Sequence, residues 1–121
     1  MAKSILYVDD NVTMLDLIKL LLEGAGYSVL TAATPDEALQ LAKGKSFGLI
    51  VLDVNLAGDS GLMLMNFMQH NHPGVPIILY TGGEHNSAAV DKMLKIGATQ
   101  YVHKRNGAEL LAAAKQMCPL G

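Results

Sequence analysis

The 121-residue sequence contains a single cysteine, Cys118, which cannot form a disulfide within the chain. A scaffold stabilised by disulfides is therefore excluded, and a reducing, cytoplasmic environment is expected. No apolar run approaches the roughly 20 residues that a membrane-spanning helix needs. The first residues also lack the layout of a signal peptide. The sequence thus predicts a cytoplasmic chain without a membrane segment.

Charged residues are also few, and the two signs nearly balance. They make up 17% of the chain, and the net charge is −2. A nucleic-acid-binding domain would carry a basic excess, so direct binding to nucleic acid is not predicted. Cysteine and histidine do not occur at the spacing of zinc ligands. With half of its residues hydrophobic, the chain is expected to fold as one domain over residues 1–121.

What the sequence does contain is a regular alternation of strand and helix patterns. Short apolar runs, typical of strands buried on both faces, alternate with stretches whose apolar residues recur at steps of three and four, which predict helices. In the first helix this spacing predicts a buried face of Val12, Leu15, Ile18 and Leu22. The predicted strands are 5–8, 27–32, 48–53, 75–80 and 99–103, and the predicted helices are 12–23, 35–43, 62–71, 87–96 and one that begins at 107.

This alternation predicts an α/β fold. Short connections between strictly alternating elements imply right-handed crossovers and a parallel sheet. A five-stranded, doubly wound sheet commonly has the strand order 2-1-3-4-5, the flavodoxin-like arrangement with helices on both faces. In that order the first strand lies beside the third, and the fourth and fifth follow.

Polar side chains stand where three of these strands end. Asp9 and Asp10 follow the first strand, Asp53 ends the third, and Thr81 follows the fourth. The carboxyl ends of parallel strands line the ligand crevice of such a sheet, so these groups are expected to converge. Three carboxylates in one crevice repel each other unless a cation lies among them. Ligands that are all oxygen favour Mg²⁺, Ca²⁺ or Mn²⁺ over zinc, and we predict Mg²⁺, with Mn²⁺ as the alternative.

The predicted metal site uses four residues. Asp10 and Asp53 are expected to bind the cation directly, together with the backbone carbonyl of Asn55. Asp9 is expected to act through a water molecule. Magnesium typically keeps several waters and takes one or two carboxylates plus phosphate oxygens, which suits this arrangement.

A lysine at the end of the fifth strand completes the predicted site. Lys104 is expected to pair with Asp53 or with phosphate oxygens, and Thr81 to donate a hydrogen bond to the same group. A cation, an ammonium and a hydroxyl together would stabilise the charge on a phosphoryl group in transfer. Asp53 is therefore predicted to accept a phosphoryl group and form an aspartyl phosphate.

In this order, the motifs resemble those of the response-regulator receiver domains of two-component signalling. The resemblance covers essentially the whole chain and is carried by Asp9-Asp10, Asp53, Thr81-Gly82, and Tyr101 three residues before Lys104. It implies that a histidine kinase or a histidine phosphotransfer protein donates the phosphoryl group to Asp53 in the presence of Mg²⁺. The domain would then be a signalling switch and not a metabolic enzyme, although it would assist its own phosphorylation and dephosphorylation.

The resemblance also implies how the switch would be read. Thr81 and Tyr101 would move inward on phosphorylation and reshape the surface of helix 4, strand 5 and helix 5. That surface would control an output domain or an effector protein, or form a phosphorylation-dependent homodimer. Asn55, Gly82 and Gly83 are expected to tune how fast water removes the phosphoryl group.

The sequence departs from the family pattern after the lysine. Arg105 stands where the family usually has proline, which leaves the conformation of the Lys104–Arg105 bond open.

Three other functions are alternatives to a receiver domain. A phosphatase or phosphotransferase with an Asp nucleophile would want a second acid at position 55, which is Asn. A flavin carrier would want a glycine-rich phosphate loop in place of Asp9-Asp10. A receiver-like domain that is never phosphorylated stays open.

Overall fold

The computed structural model describes residues 3–53, 60–81, 87–104 and 107–120. Within these ranges, five strands alternate with five helices, and their bounds differ from the predicted ones by at most two residues. In chain order they are β1 (Ser4–Val8), α1 (Val12–Gly24), β2 (Ser28–Ala32), α2 (Pro35–Ala42), β3 (Leu49–Leu52), α3 (Ser60–Asn71), β4 (Ile77–Thr81), α4 (Ser87–Lys95), β5 (Gln100–His103) and α5 (Gly107–Met117).

The strands form one parallel sheet in the order β2-β1-β3-β4-β5, which confirms the predicted fold. Backbone hydrogen bonds continue one residue past the strand ends. The Asp9 N–H donates to Ala32, the Asp53 N–H donates to Val8, and the Lys104 N–H donates to Thr81, over 2.9–3.1 Å. These bonds fix the backbone of the three charged residues at one edge of the sheet.

Each face of the sheet carries its own hydrophobic core. The strand residues that point to one face pack with α1 and α5, and those that point to the other face pack with α2, α3 and α4. Every residue of β3 and β4 is buried, as expected for strands covered on both faces. Alternation along the strands places Tyr7 and Tyr80 on the α1–α5 face and Tyr101 on the opposite face.

The predicted buried face of α1 is correct at three positions and wrong at one. Leu15, Ile18 and Leu22 are buried, but Val12 is 62% exposed. Val12 is the first residue of α1, and β1 has already ended at Val8, so no strand residue of β1 lies beneath it. The period of the helix was predicted correctly, but the point at which the helix leaves the sheet was not.

The second helix begins as predicted, because the Thr34 side chain accepts a hydrogen bond from the Glu37 N–H. Within the described residues, no helix is both long enough and apolar enough to cross a membrane.

Candidate functional site

Three acidic residues meet at the carboxyl edge of the sheet. The carboxylate oxygens that Asp9, Asp10 and Asp53 offer lie within 4.8 Å of one another. Asp9 and Asp53 are buried, whereas Asp10 is exposed. They come together because β1 and β3 are neighbouring strands, so the structure shows the convergence that the strand ends predict.

This cluster fits a hard divalent cation. Its donors are all carboxylate oxygens, two of them buried, and the exposed Asp10 leaves a side open to solvent. Such donors suit Mg²⁺, which retains water ligands in most protein sites. The predicted carbonyl ligand from Asn55 lies outside the described residues, as do Gly82 and Gly83 and the Lys104–Arg105 bond, so these points stay predictions.

Asp9 is held by three donors. Its Oδ2 accepts a hydrogen bond from the Tyr7 hydroxyl at 2.6 Å and lies 2.6 Å from the Lys104 ammonium. Its Oδ1 accepts a hydrogen bond from the Asn11 N–H at 2.9 Å. A carboxylate offers about four lone pairs, so most of the hydrogen-bonding capacity of Asp9 is used by the protein itself.

Lys104 bridges the two buried acids. Its Nζ lies 3.2 Å from Asp53 Oδ2, the predicted pairing, and also contacts Asp9, which the sequence did not predict. Burial by itself would lower the pKa of Lys104, but the hydrogen bond to Asp9 and the charges of Asp53 and Asp9 raise this pKa above its ordinary value. Lys104 is therefore a charged ammonium at neutral pH.

The backbone of Lys104 is held from β4 on both sides of its Cα. The Lys104 N–H donates to the Thr81 carbonyl at 2.9 Å, and the Lys104 carbonyl accepts a hydrogen bond from the Tyr80 hydroxyl at 3.1 Å. The lysine is thus attached at the end of β5 by two consecutive residues of the neighbouring strand.

Thr81 and Tyr101, the predicted switch residues, lie on neighbouring strands. Thr81 is fully buried at the end of β4, where it pairs with His103 of β5. Tyr101 is half-buried and packs against the core beneath α2, α3 and α4. Their proposed movement on phosphorylation stays a prediction.

Two buried tyrosines contact this site and were not predicted from the sequence. The rings of Tyr7 and Tyr80 meet edge to face with centroids 6.2 Å apart. Burial raises the pKa of both hydroxyls, and the hydrogen bond to Asp9 raises that pKa further for Tyr7. Both side chains therefore remain hydroxyl donors at neutral pH. Tyr7 lies two residues before Asp9, on the same face of the strand, and a buried tyrosine hydroxyl needs a partner. That spacing is the signal that would have identified it.

Comparisons with known proteins agree with this geometry. The family model described as response regulator receiver domain matches residues 5–116. The regulatory protein VanR of Enterococcus faecium is 36% identical over 118 residues, which are 95% of this chain and 49% of that protein. The transcriptional regulatory protein PgtA of the phosphoglycerate transport system of Salmonella typhimurium is 38% identical over 101 residues, 84% of this chain and 24% of that protein. The chain therefore spans half or less of the length of these relatives.

Solved structures give the same result. A CheY-like receiver domain protein from Methanospirillum hungatei superposes with a TM-score of 0.88 and 33% identity, covering 96% of this chain and 93% of that one. The chemotaxis response regulator CheY4 of Vibrio cholerae superposes with a TM-score of 0.84 and 28% identity, covering 97% and 99%. From its sequence, its strand order and these relatives, the chain belongs to the response-regulator receiver domains of two-component signalling.

Proposed function

We propose that this receiver domain accepts a phosphoryl group on Asp53 from a histidine kinase or a histidine phosphotransfer protein. The observation that carries the proposal is the contact of Lys104 with Asp53 inside a cluster of three carboxylates. Phosphoryl transfer to a carboxylate requires an acid as the nucleophile and positive charge that stabilises the phosphoryl group. Here the buried acid is Asp53, and Lys104 and the cation-binding cluster lie beside it. The alternatives of a phosphatase and a flavin carrier do not account for the family match over residues 5–116.

In the proposed reaction a carboxylate oxygen of Asp53 attacks phosphorus. The new P–O bond forms as the bond from phosphorus to the donor imidazole nitrogen breaks, and the imidazole leaves. Lys104 Nζ lies 3.2 Å from Asp53 Oδ2 before the transfer. After it, the ammonium pairs with the phosphoryl oxygens, which then carry the negative charge. Thr81 donates its hydroxyl to the same group. Bound Mg²⁺, or Mn²⁺ in its place, would offset the charge of the three acids and of the incoming phosphoryl group.

The two aspartates after β1 have different proposed roles. Asp10 is exposed and would bind the cation directly, together with Asp53. Asp9 already has three protein donors, which supports a role through a bridging water. The backbone carbonyl of Asn55 is the fourth proposed ligand, and Asn55, Gly82 and Gly83 are proposed to set the lifetime of the phosphoryl group.

The proposed output is a change in the surface formed by α4, β5 and α5. The phosphoryl group adds a charge of about −2 beside Lys104 and Thr81. This charge favours one of two surface arrangements, with Thr81 and Tyr101 turned inward. The altered surface then controls an output domain or effector protein, or joins two copies of the domain. The domain acts as a cytoplasmic switch that assists its own phosphorylation and dephosphorylation.

The test is incubation with acetyl phosphate and Mg²⁺, followed by intact mass measurement. We expect the wild-type chain to gain the mass of one phosphoryl group and Asp53→Asn to gain none. Asp16→Asn removes a carboxylate from the exposed surface of α1 and is the matched control, which should gain mass as the wild type does. Equal gain in wild type and Asp53→Asn would move the acceptor elsewhere, and no gain in the wild type would contradict the proposal.

A further inference from the structure

We propose that Tyr7 and Tyr80 are positioning residues of the receiver site, one for each partner of the Asp9–Lys104 ion pair. Tyr7 holds the carboxylate of Asp9 in the orientation that the Mg²⁺ site needs. Tyr80 holds the backbone of Lys104 so that its ammonium reaches Asp53. The inference rests on the proposed function, because the two roles concern metal binding and phosphoryl transfer.

The Tyr7 contact is short and sheltered from water. Tyr7 is fully buried, and its hydroxyl lies 2.6 Å from Asp9 Oδ2, a distance typical of a hydrogen bond to an ionised carboxylate. The tyrosine and the aspartate are two residues apart in one strand direction, so their side chains leave the sheet on the same face. The position of the hydroxyl is therefore set by the strand itself and by the packing of the ring.

Tyr7 and Lys104 donate to the same oxygen of Asp9, which makes the tyrosine more than a core residue. Without the hydroxyl, Lys104 would be the only donor on Oδ2 among the residues that the structure describes. The carboxylate could then turn toward the lysine, and the lysine would be drawn from Asp53 toward Asp9. Outer hydrogen-bond partners of metal sites typically contribute 10–100-fold in affinity, so weaker Mg²⁺ binding is expected.

Tyr80 acts on the other partner. Its hydroxyl donates to the Lys104 carbonyl at 3.1 Å, while the next residue of β4, Thr81, accepts from the Lys104 N–H. Tyr80 donates its hydroxyl to the lysine carbonyl and not to the three acids, so its loss should not weaken Mg²⁺ binding. It should instead loosen the ammonium that stabilises the phosphoryl group and thereby slow the transfer.

The chain supplies a matched control in Tyr27. This tyrosine is also buried and packs in the same core, but its hydroxyl donates to the Cys118 carbonyl at 2.8 Å, away from the acids. Tyr27→Phe removes one buried tyrosine hydroxyl and one hydrogen bond to a backbone carbonyl, as Tyr80→Phe does. Any effect that follows from general loss of stability should appear in Tyr27→Phe as well.

The experiment measures two quantities on the wild type and on Tyr7→Phe, Tyr80→Phe and Tyr27→Phe. Calorimetric titration with MgCl₂ gives the dissociation constant for the cation alone, and acetyl phosphate at saturating Mg²⁺ gives the rate of phosphorylation. We expect Tyr7→Phe to weaken Mg²⁺ binding by about tenfold. Tyr80→Phe should bind Mg²⁺ at least as tightly as the wild type and lower the rate several-fold, and Tyr27→Phe should change neither quantity.

Wild-type Mg²⁺ affinity in Tyr7→Phe would overturn the role of Tyr7, as would an equal loss of affinity in Tyr27→Phe. A wild-type rate in Tyr80→Phe would overturn the role of Tyr80. If the wild-type chain accepts no phosphoryl group, the proposed function fails and the Tyr80 role fails with it. The Mg²⁺ titration then still decides the role of Tyr7, so the two failures can be told apart.

Discussion

Lys104 places a positive charge between two buried carboxylates, and its contacts with Asp9 and Asp53 explain how both can lie within a protein core. Removing one member of a buried ion pair leaves the other charge uncompensated, which is costly. Here the exposed Asp10 and the 17% exposure of the lysine side chain admit water and reduce that cost.

Substitution of the lysine tests this balance. We expect Lys104→Met to lower the free energy of unfolding without added metal by about 2 kcal/mol. Because Mg²⁺ would then take over the neutralisation of the acids, it should stabilise Lys104→Met more than it stabilises the wild type. Urea unfolding in EDTA and in MgCl₂ measures both effects. Lys115→Met, which removes an exposed lysine of α5, is the control, and an equal Mg²⁺ effect in all three proteins would contradict the account.

The raised pKa of Lys104 predicts a pH dependence. A lysine whose pKa is higher in the folded state stabilises the fold fully below its unfolded value of about 10.4, and this contribution is lost as pH rises through the folded pKa. The difference in unfolding free energy between wild type and Lys104→Met should therefore stay constant from pH 8 to about 10 and shrink above it. Urea unfolding across this pH range measures the difference. A difference in unfolding free energy that grows above about pH 10 would contradict the raised pKa of Lys104.

At the scale of residues, the sequence predicted which acids meet and the pairing of Lys104 with Asp53, but not the contact of Lys104 with Asp9. The strand ends bring Asp9, Asp10 and Asp53 to one edge, which follows from topology alone. The contact between Lys104 and Asp9 depends on the rotamers of both side chains and on the Tyr7 hydroxyl, which topology does not determine.

At the scale of elements, the start of β3 and the end of α5 are joined by close packing. A Cβ added at Gly48 would lie 2.5 Å from the Sγ of Cys118, a distance that requires the thiol to move. Gly48 also donates its N–H to the Ser4 carbonyl, so its backbone is tied to β1. Cys118, for which the sequence predicts no role, is therefore a core residue that closes this end of the α1–α5 face.

A double-mutant cycle tests this contact. We expect Gly48→Ala to destabilise the fold by about 1–3 kcal/mol through overpacking. Because Cys118→Ala removes the thiol that the new methyl group meets, Gly48→Ala should cost much less in the Cys118→Ala background. Urea unfolding of the four proteins gives the coupling energy. Additive effects of the two substitutions would show that the thiol is not what the added methyl group meets.

The bounds of the helices and strands were predicted well because apolar periodicity reports the period of each element. The burial of Val12 was predicted wrongly because periodicity does not say where a helix extends past the sheet. An amphipathic pattern gives the direction of a face but not the depth of each residue.

At the scale of the whole molecule, the parallel sheet separates two helix layers that serve different proposed purposes. The α1–α5 face holds the tyrosines that contact the site, and the α2–α3–α4 face packs against Tyr101. The strand order was predictable because strict alternation of strands and helices leaves few topologies. Residues 54–59 and 82–86 fall outside the described residues, so the roles predicted for Asn55, Gly82 and Gly83 are still to be tested.

If the surface of α4, β5 and α5 is the output, phosphorylation should change its hydrogen exchange. We expect acetyl phosphate with Mg²⁺ to alter amide exchange in these three elements in the wild type but not in Asp53→Asn. The remaining strands serve as internal references, because they lie in cores that the switch need not disturb. Changes confined to α1 and α2 would place the responsive surface elsewhere.

The most direct test of the central claim is to locate the phosphoryl group on the chain. Borohydride reduces an aspartyl phosphate to homoserine, which peptide mass spectrometry can assign to one residue. After treatment with acetyl phosphate and Mg²⁺, we predict homoserine at position 53 and an unchanged aspartate at positions 9 and 10. Homoserine at another aspartate, or none in a chain that has gained a phosphoryl group, would contradict the account.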